Sequence, residues 1–176
     1  RHQNAIEKKN EGNAKFKESL FEEAAVTYTT GLKECPLSFK KDRAILYANR
    51  AAARSKLDEK KEAIKDCDKA ISLDSTYLKA IQRRATLHRQ LDNLEEALKD
   101  FQKVLEMEPG NAEARSAVMI LPHQIEEKNE KLKAEMMGKL KDLGNMILKP
   151  FGLSTENFQL NQNSETGGYN INFNKQ

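Results

Sequence analysis

One short pattern occurs three times along this chain. Glu22-Glu23-Ala24-Ala25 is followed by Tyr28, Gly31 and Pro36, and Lys61-Glu62-Ala63-Ile64 by Cys67, Ala70 and Ser75. The third copy, Glu95-Glu96-Ala97-Leu98, is followed by Phe101, Val104 and Pro109. Ala63 and Ala97 stand 34 residues apart and Ala24 and Ala63 stand 39 apart, so five extra residues near Phe39 to Arg43 are expected to lengthen one connection. A fixed period of this length decides the architecture, because one such unit cannot bury its apolar face alone and must stack on its neighbours. The spacing of apolar residues predicts helices over Asn4 to Ser19, Phe21 to Glu34, Lys41 to Lys56, Lys60 to Leu73, Tyr77 to Leu91 and Leu94 to Met107. Pro36, Asp74-Ser75 and Pro109-Gly110-Asn111 supply the breaks between pairs.

Each pair of helices needs small residues where it crosses and a bulky one beside them. Gly12, Ala51 and Ala85 fill the small position of the first helices, and Ala24, Ala63 and Ala97 that of the second. Tyr28, Cys67 and Phe101 take the bulky or packing position, and Pro36, Ser75 and Pro109 the terminating one. With a 34-residue period, this resembles the tetratricopeptide repeat family. Lys8, Tyr47 and Ile81 depart from it where the family often has Trp. Glu11, Arg50 and Arg84 depart where it has Leu, which is expected to weaken the individual repeats. The resemblance implies an all-α fold: three repeats (5–38, 44–77 and 78–111) within residues 1–111, stacked as a right-handed superhelical solenoid. Its first helices would line a concave groove. Residues 112–148 are expected to form a capping and extended helix, and 149–176 a flexible or weakly structured tail.

Residues four apart share a face of a helix. The register therefore turns Lys9 and Asn13 of repeat one, Asn49 of repeat two, and Lys79 and Arg83 of repeat three into the groove. A peptide ending in Asp carries two carboxylates on one residue, and their capture needs donors only. Lysine offers a mobile ammonium, arginine a planar fork, and asparagine an amide that donates without adding charge. Asparagine is also a poor residue for a helix interior, which gives Asn49 within its alanine-rich helix particular weight. The five positions resemble the two-carboxylate clamp of co-chaperone tetratricopeptide domains. What that implies is a protein-binding adaptor for the C-terminal Glu-Glu-Val-Asp of heat-shock chaperones of the seventy- and ninety-kDa classes. Ala52, Lys56, Arg84 and Gln90 are secondary groove positions that would tune peptide preference. The alternative is a signalling scaffold that binds an internal segment of a GTPase or another partner without using the clamp.

Other classes find little support. The 30 basic residues against 27 acidic ones leave a charge of +3, too small a field to drive nucleic-acid or membrane binding. The balance of 38% hydrophobic, 32% charged and 6% aromatic residues suits long solvated helices. His2, His88 and His123 lack metal-ligand spacing, the two cysteines form no CxxC, and no phosphate-binding glycine loop occurs. An enzyme, a metal and a cofactor are therefore not expected. Cys35 and Cys67, placed on second helices, read as reduced packing residues, and His88 as a helix-packing one. No run approaches the ~20 apolar residues of a membrane span and no signal-peptide pattern opens the chain, so a cytoplasmic location is expected.

Beyond Asn111 the register stops. Ala114, Ala117, Val118 and Leu121 continue a stripe suited to capping the last repeat, as solenoids require. Pro122 should kink or restart the helix, after which Ile125, Leu132, Met136, Leu140, Leu143 and Ile147 recur at helical intervals. Self-association through 122–148 is one use for that stripe. Lys149-Pro150 ends the helix. Phe158 and Leu160, then Tyr169, Ile171 and Phe173, alternate around Thr166-Gly167-Gly168 as in a hairpin, although an isolated hairpin is marginal in water and an irregular tail is the stronger expectation. The stretches Lys139 to Asn145 and Lys149 to Phe158 resemble the C-terminal region of a tetratricopeptide adaptor that binds heat-shock chaperones and small or heterotrimeric GTPases.

Overall fold

The computed structural model describes residues 1–162 and 169–173, and it divides into two units, Arg1–Ile125 and Glu126–Gln176. In the first unit six helices run as three hairpins: α1 (His2–Lys17) with α2 (Phe21–Glu34), α3 (Lys40–Lys56) with α4 (Lys60–Leu73), and α5 (Leu78–Gln90) with α6 (Leu94–Met107). The opening part of α7 (Ala112–Leu148) completes it. Each hairpin turns through one residue in the left-handed region: Ser19 (φ 62°), Asp58 (φ 61°) and Asp92 (φ 59°). Asp and Asn tolerate that region better than most side chains. The next amide in each case reaches back five residues, Leu20 to the Lys15 carbonyl, Glu59 to Arg54 and Asn93 to His88, all at 2.9 Å. Three equivalent helix stops thus set the repeat.

The small residues work as steric gates. A β-carbon on Gly12 would lie 2.5 Å from Cε1 of Tyr28, so only glycine lets α1 approach that ring. Ala24, Ala51, Ala63, Ala85 and Ala97 are fully buried at the other crossings. Tyr28 packs with Ala5, Leu32, Cys35 and Leu46 at one end, and Phe101 and Val104 with Ile81, Ala114, Ala117 and Leu121 at the other. The cap expected from Ala114 to Leu121 is therefore part of the core. Pro122 lies inside α7 without ending it, at the loss of one ladder hydrogen bond.

Two expectations need correction. The five extra residues do not simply lengthen a connection: α3 starts at Lys40, one residue before the expected Lys41 and four before the position one period ahead of the start of α5, so most of them form an added helical turn. Arg43 on that turn donates to the carbonyls of Leu32 (2.9 Å) and Cys35 (2.7 Å), satisfying orphan acceptors at the end of α2. His2 bonds Asp42 at 2.8 Å and stacks on Phe39, tying the same turn to α1. Cys35 also lies just past α2 rather than on it, while Cys67 sits within α4; both are buried free thiols.

Arg50 and Arg84, read as weakening departures, hold their repeats together. Arg50 grips Asp66 with two bonds of 2.8 and 2.6 Å, and Arg54 adds a third at 2.8 Å. Arg84 grips Asp100 with two bonds of 2.7 Å and reaches Asp68 at 2.7 Å. Asp66 and Asp100 are buried. Each pair joins the first helix of a repeat to its second, and the two pairs are themselves one period apart.

In the second unit the tail is more ordered than expected. Two 3-10 turns, Lys149–Phe151 and Thr155–Asn157, lead into β1 (Phe158–Gln162), which pairs antiparallel with β2 (Tyr169–Phe173) in the register Phe158 to Phe173. Thr166-Gly167-Gly168 lies outside the described residues. The second turn docks on the helix: the Asn145 side-chain oxygen accepts from the Thr155 amide (2.7 Å) and hydroxyl (2.9 Å), and Lys141 pairs with Glu156 at 2.8 Å. A β-carbon on Gly144 would come within 2.6 Å of Thr155 Cγ2, so glycine is required at that contact. These bonds and the Phe158–Phe173 ring contact, at 5.2 Å between centroids, support a hairpin that would be marginal alone. Leu132, Met136, Leu140, Leu143 and Ile147 are exposed within this unit. Among the described residues, no helix is long and apolar enough to cross a membrane.

Candidate functional site

Two adjoining pockets open between the first helices of the repeats. The first, of about 300 Å³, is lined by Asn13, Phe16 and Lys17 of α1, Tyr28 of α2, Asn49 and Ala52 of α3, and Tyr77, Lys79 and Arg83 at α5. It contains three cations and no carboxylate. Four of the five expected donors thus meet here. Lys9 stands one turn before Asn13 on α1, half-buried, and is not among the lining residues.

Three of these four donors, Asn13, Asn49 and Arg83, are held by hydrogen bonds within the protein. The Asn13 side-chain oxygen accepts from the Tyr28 hydroxyl at 2.8 Å and from the Asn49 amide at 3.0 Å. With its oxygen committed twice, the Asn13 amide must present its N–H groups elsewhere, an orientation fixed by the network around it. Arg83 donates to the Ala48 carbonyl at 2.8 Å, which anchors its guanidinium on the neighbouring helix and leaves other N–H groups for a ligand. Burial pushes the Tyr28 phenol up to about 12, with the nearby Arg83 charge opposing, so the hydroxyl stays a proton donor to Asn13.

The second pocket, of about 280 Å³, shares Lys79 and Arg83 with the first and adds Ser55, Gln82, Thr86, Leu87 and Glu113. Glu113 comes from α7, so the cap is also a wall of the groove. Its carboxylate accepts from Gln82 (3.0 Å), Thr86 (3.2 Å) and Arg89 (3.1 Å). Sequence reasoning missed Glu113 because it lies just past the last repeat, where the register offers no position to read. Tyr28 was visible only as a packing residue; the signal for its second role is its place fifteen residues after Asn13, opposite it across the first hairpin.

The secondary positions divide. Ala52 lines the first pocket. Arg84 turns the other way, into Asp100 and Asp68, and is a structural residue. Lys56 and Gln90 are exposed and line neither pocket. His88 is half-buried near the end of α5, 3.4 Å from the Asn93 side chain. Among the described residues, no group of three or more potential metal ligands occurs.

Comparison with known proteins identifies the repeats. Models described as tetratricopeptide repeat match residues 44–77 and 78–111. The mitochondrial import receptor subunit TOM70 of Rattus norvegicus is 43% identical over 77 residues, 44% of this chain but 13% of that protein. The chain thus spans a small fraction of the curated relatives it matches. The first TPR of Spaghetti (RPAP3), bound to the HSP90 peptide SRMEEVD, superposes with a TM-score of 0.65 at 35% identity, over 71% of this chain and 95% of that one. The second TPR domain of human RPAP3, in complex with the HSP70 peptide SGPTIEEVD, gives 0.62 at 41% identity, over 69% and 97%. Repeat models, helix order and these likenesses agree, and the chain belongs to the tetratricopeptide repeat family.

Proposed function

We propose that the groove binds the C-terminal Glu-Glu-Val-Asp segment of heat-shock chaperones through a two-carboxylate clamp, making this chain a co-chaperone-type adaptor. The observation that carries the reading is the convergence of Asn13, Asn49, Lys79 and Arg83 on one pocket without a carboxylate. The terminal Asp brings two negative charges to those donors. Hydrogen bonds to charged groups contribute about 1.5–3 kcal/mol each and micromolar binding needs about 8 kcal/mol, so a few such bonds supply most of it. The related domains that hold chaperone peptides add to the case. Lys9 extends the donor set from the adjacent turn of α1.

Calorimetric titration with a peptide ending in Met-Glu-Glu-Val-Asp tests this, run beside its C-terminal amide and against the Lys79→Ala, Arg83→Ala chain. Micromolar binding should appear and fall at least tenfold in both controls. Binding indifferent to amidation would instead favour a reader of internal segments, of the kind a GTPase or another signalling partner presents.

A further inference from the structure

We infer that Glu113 forms a second subsite, which accepts a basic residue upstream of the ligand's terminal carboxylates and so makes this groove prefer an SRMEEVD-type peptide to an SGPTIEEVD-type one. The inference rests on the clamp reading and goes beyond it, by naming which upstream chemistry is selected.

Among the described residues lining the two pockets, Glu113 alone is acidic. The first pocket offers three cations and no carboxylate, and the second sets one carboxylate beyond the shared Lys79 and Arg83, so an acceptor appears only farther along the groove. The carboxylate is also loosely held. Its contacts to Gln82, Thr86 and Arg89 are 3.0, 3.2 and 3.1 Å, whereas the buried carboxylates of Asp66 and Asp100 receive bonds of 2.6 to 2.8 Å. Charge-assisted bonds at their best lie near 2.7–2.9 Å. Glu113 is 39% exposed and its partner Arg89 40%, so a ligand cation can take the place Arg89 holds, and Arg89 can return to solvent.

The register suits the two peptides. In SRMEEVD the Arg stands five residues before the terminal Asp, while SGPTIEEVD has no basic residue. Five residues of extended chain reach up to about 17 Å, enough to pass from the first pocket into its neighbour across Lys79 and Arg83, the walls the two share. Long-range electrostatics works the other way: the chain's +3 charge disfavours an added cation. A gain from the peptide Arg would therefore report a local partner.

The test is titration of the full chain and its Glu113→Gln variant with SRMEEVD, SAMEEVD and SGPTIEEVD, and of the unaltered chain with SEMEEVD. The unaltered chain should bind SRMEEVD three- to tenfold tighter than SAMEEVD or SGPTIEEVD, and SEMEEVD weakest of all. In Glu113→Gln, which keeps the side chain's shape and one of the two oxygens that Gln82 and Thr86 share between them, the advantage of Arg over Ala at that position should vanish. Equal binding of SRMEEVD and SAMEEVD to the unaltered chain overturns the subsite, as does an Arg advantage that persists in Glu113→Gln. The SEMEEVD arm does not depend on the variant folding: affinity equal to that of SAMEEVD also counts against it. Failure of the clamp itself has another signature, loss of the difference between free-acid and amidated SRMEEVD in the unaltered chain.

Discussion

The side-chain oxygen of Asn13 receives the Tyr28 hydroxyl and the Asn49 amide in one place, and this small network links three helices. Deleting the hydroxyl tests its part. Tyr28→Phe keeps the ring that closes against Gly12 but frees the Asn13 amide to turn. Stability should fall by only about 1 kcal/mol, the ordinary net worth of one hydrogen bond, and peptide affinity by about fivefold, read by thermal melting and titration on the same sample. Loss of stability with full affinity would mean that the hydroxyl orients nothing.

Along the helices, the period carried much of the site. Asn13, Asn49, Lys79 and Arg83 occupy corresponding faces of α1, α3 and α5, and an alignment of repeats suffices to bring them near one another. Arg50 and Arg84 were misjudged for a physical reason: their partners Asp66 and Asp100 lie sixteen residues later on the second helix, and a charged residue viewed alone looks like a poor substitute for Leu. Removing one partner of such a buried pair strands the other's charge, whereas replacing both by apolar residues avoids that cost. Arg84→Ala should therefore cost about 3–5 kcal/mol by stranding the Asp100 charge. Arg84→Leu combined with Asp100→Leu should recover most of that, measured as urea midpoints at constant slope. The added turn of α3 was legible as backbone, since the expected helix already began at Lys41, one residue from the observed start; what holds that turn was not, because Arg43 and Asp42 find their partners at the end of α2 and on α1. The strand pairing of Phe158 with Phe173 was readable as alternation; the bonds from Asn145 to Thr155 that brace it were not.

For the molecule as a whole, the repeats are not equally fastened. One period before Arg50 and Asp66 stand Glu11 and Thr27, and no buried ion pair joins them. Lys15 bridges this hairpin instead, 3.1 Å from Glu11 and 3.2 Å from Thr27, with 28% of its side chain exposed and Glu11 43% exposed, where solvent screening leaves little net stabilisation. In a stack where each repeat leans only on its neighbours, opening starts at the weakest end. Backbone amides of α1 and α2 should accordingly exchange with deuterium before those of α5 and α6 in the free chain; the reverse order would show that terminal capping, rather than the ion pairs, sets the gradient. Asn13 sits on that first hairpin and Arg83 on the last, so a guest held by both stitches the loosest part of the host to its firmest. Capture of a peptide is then also an act of folding, and slowed exchange in α1, far more than in α5, is the trace it should leave.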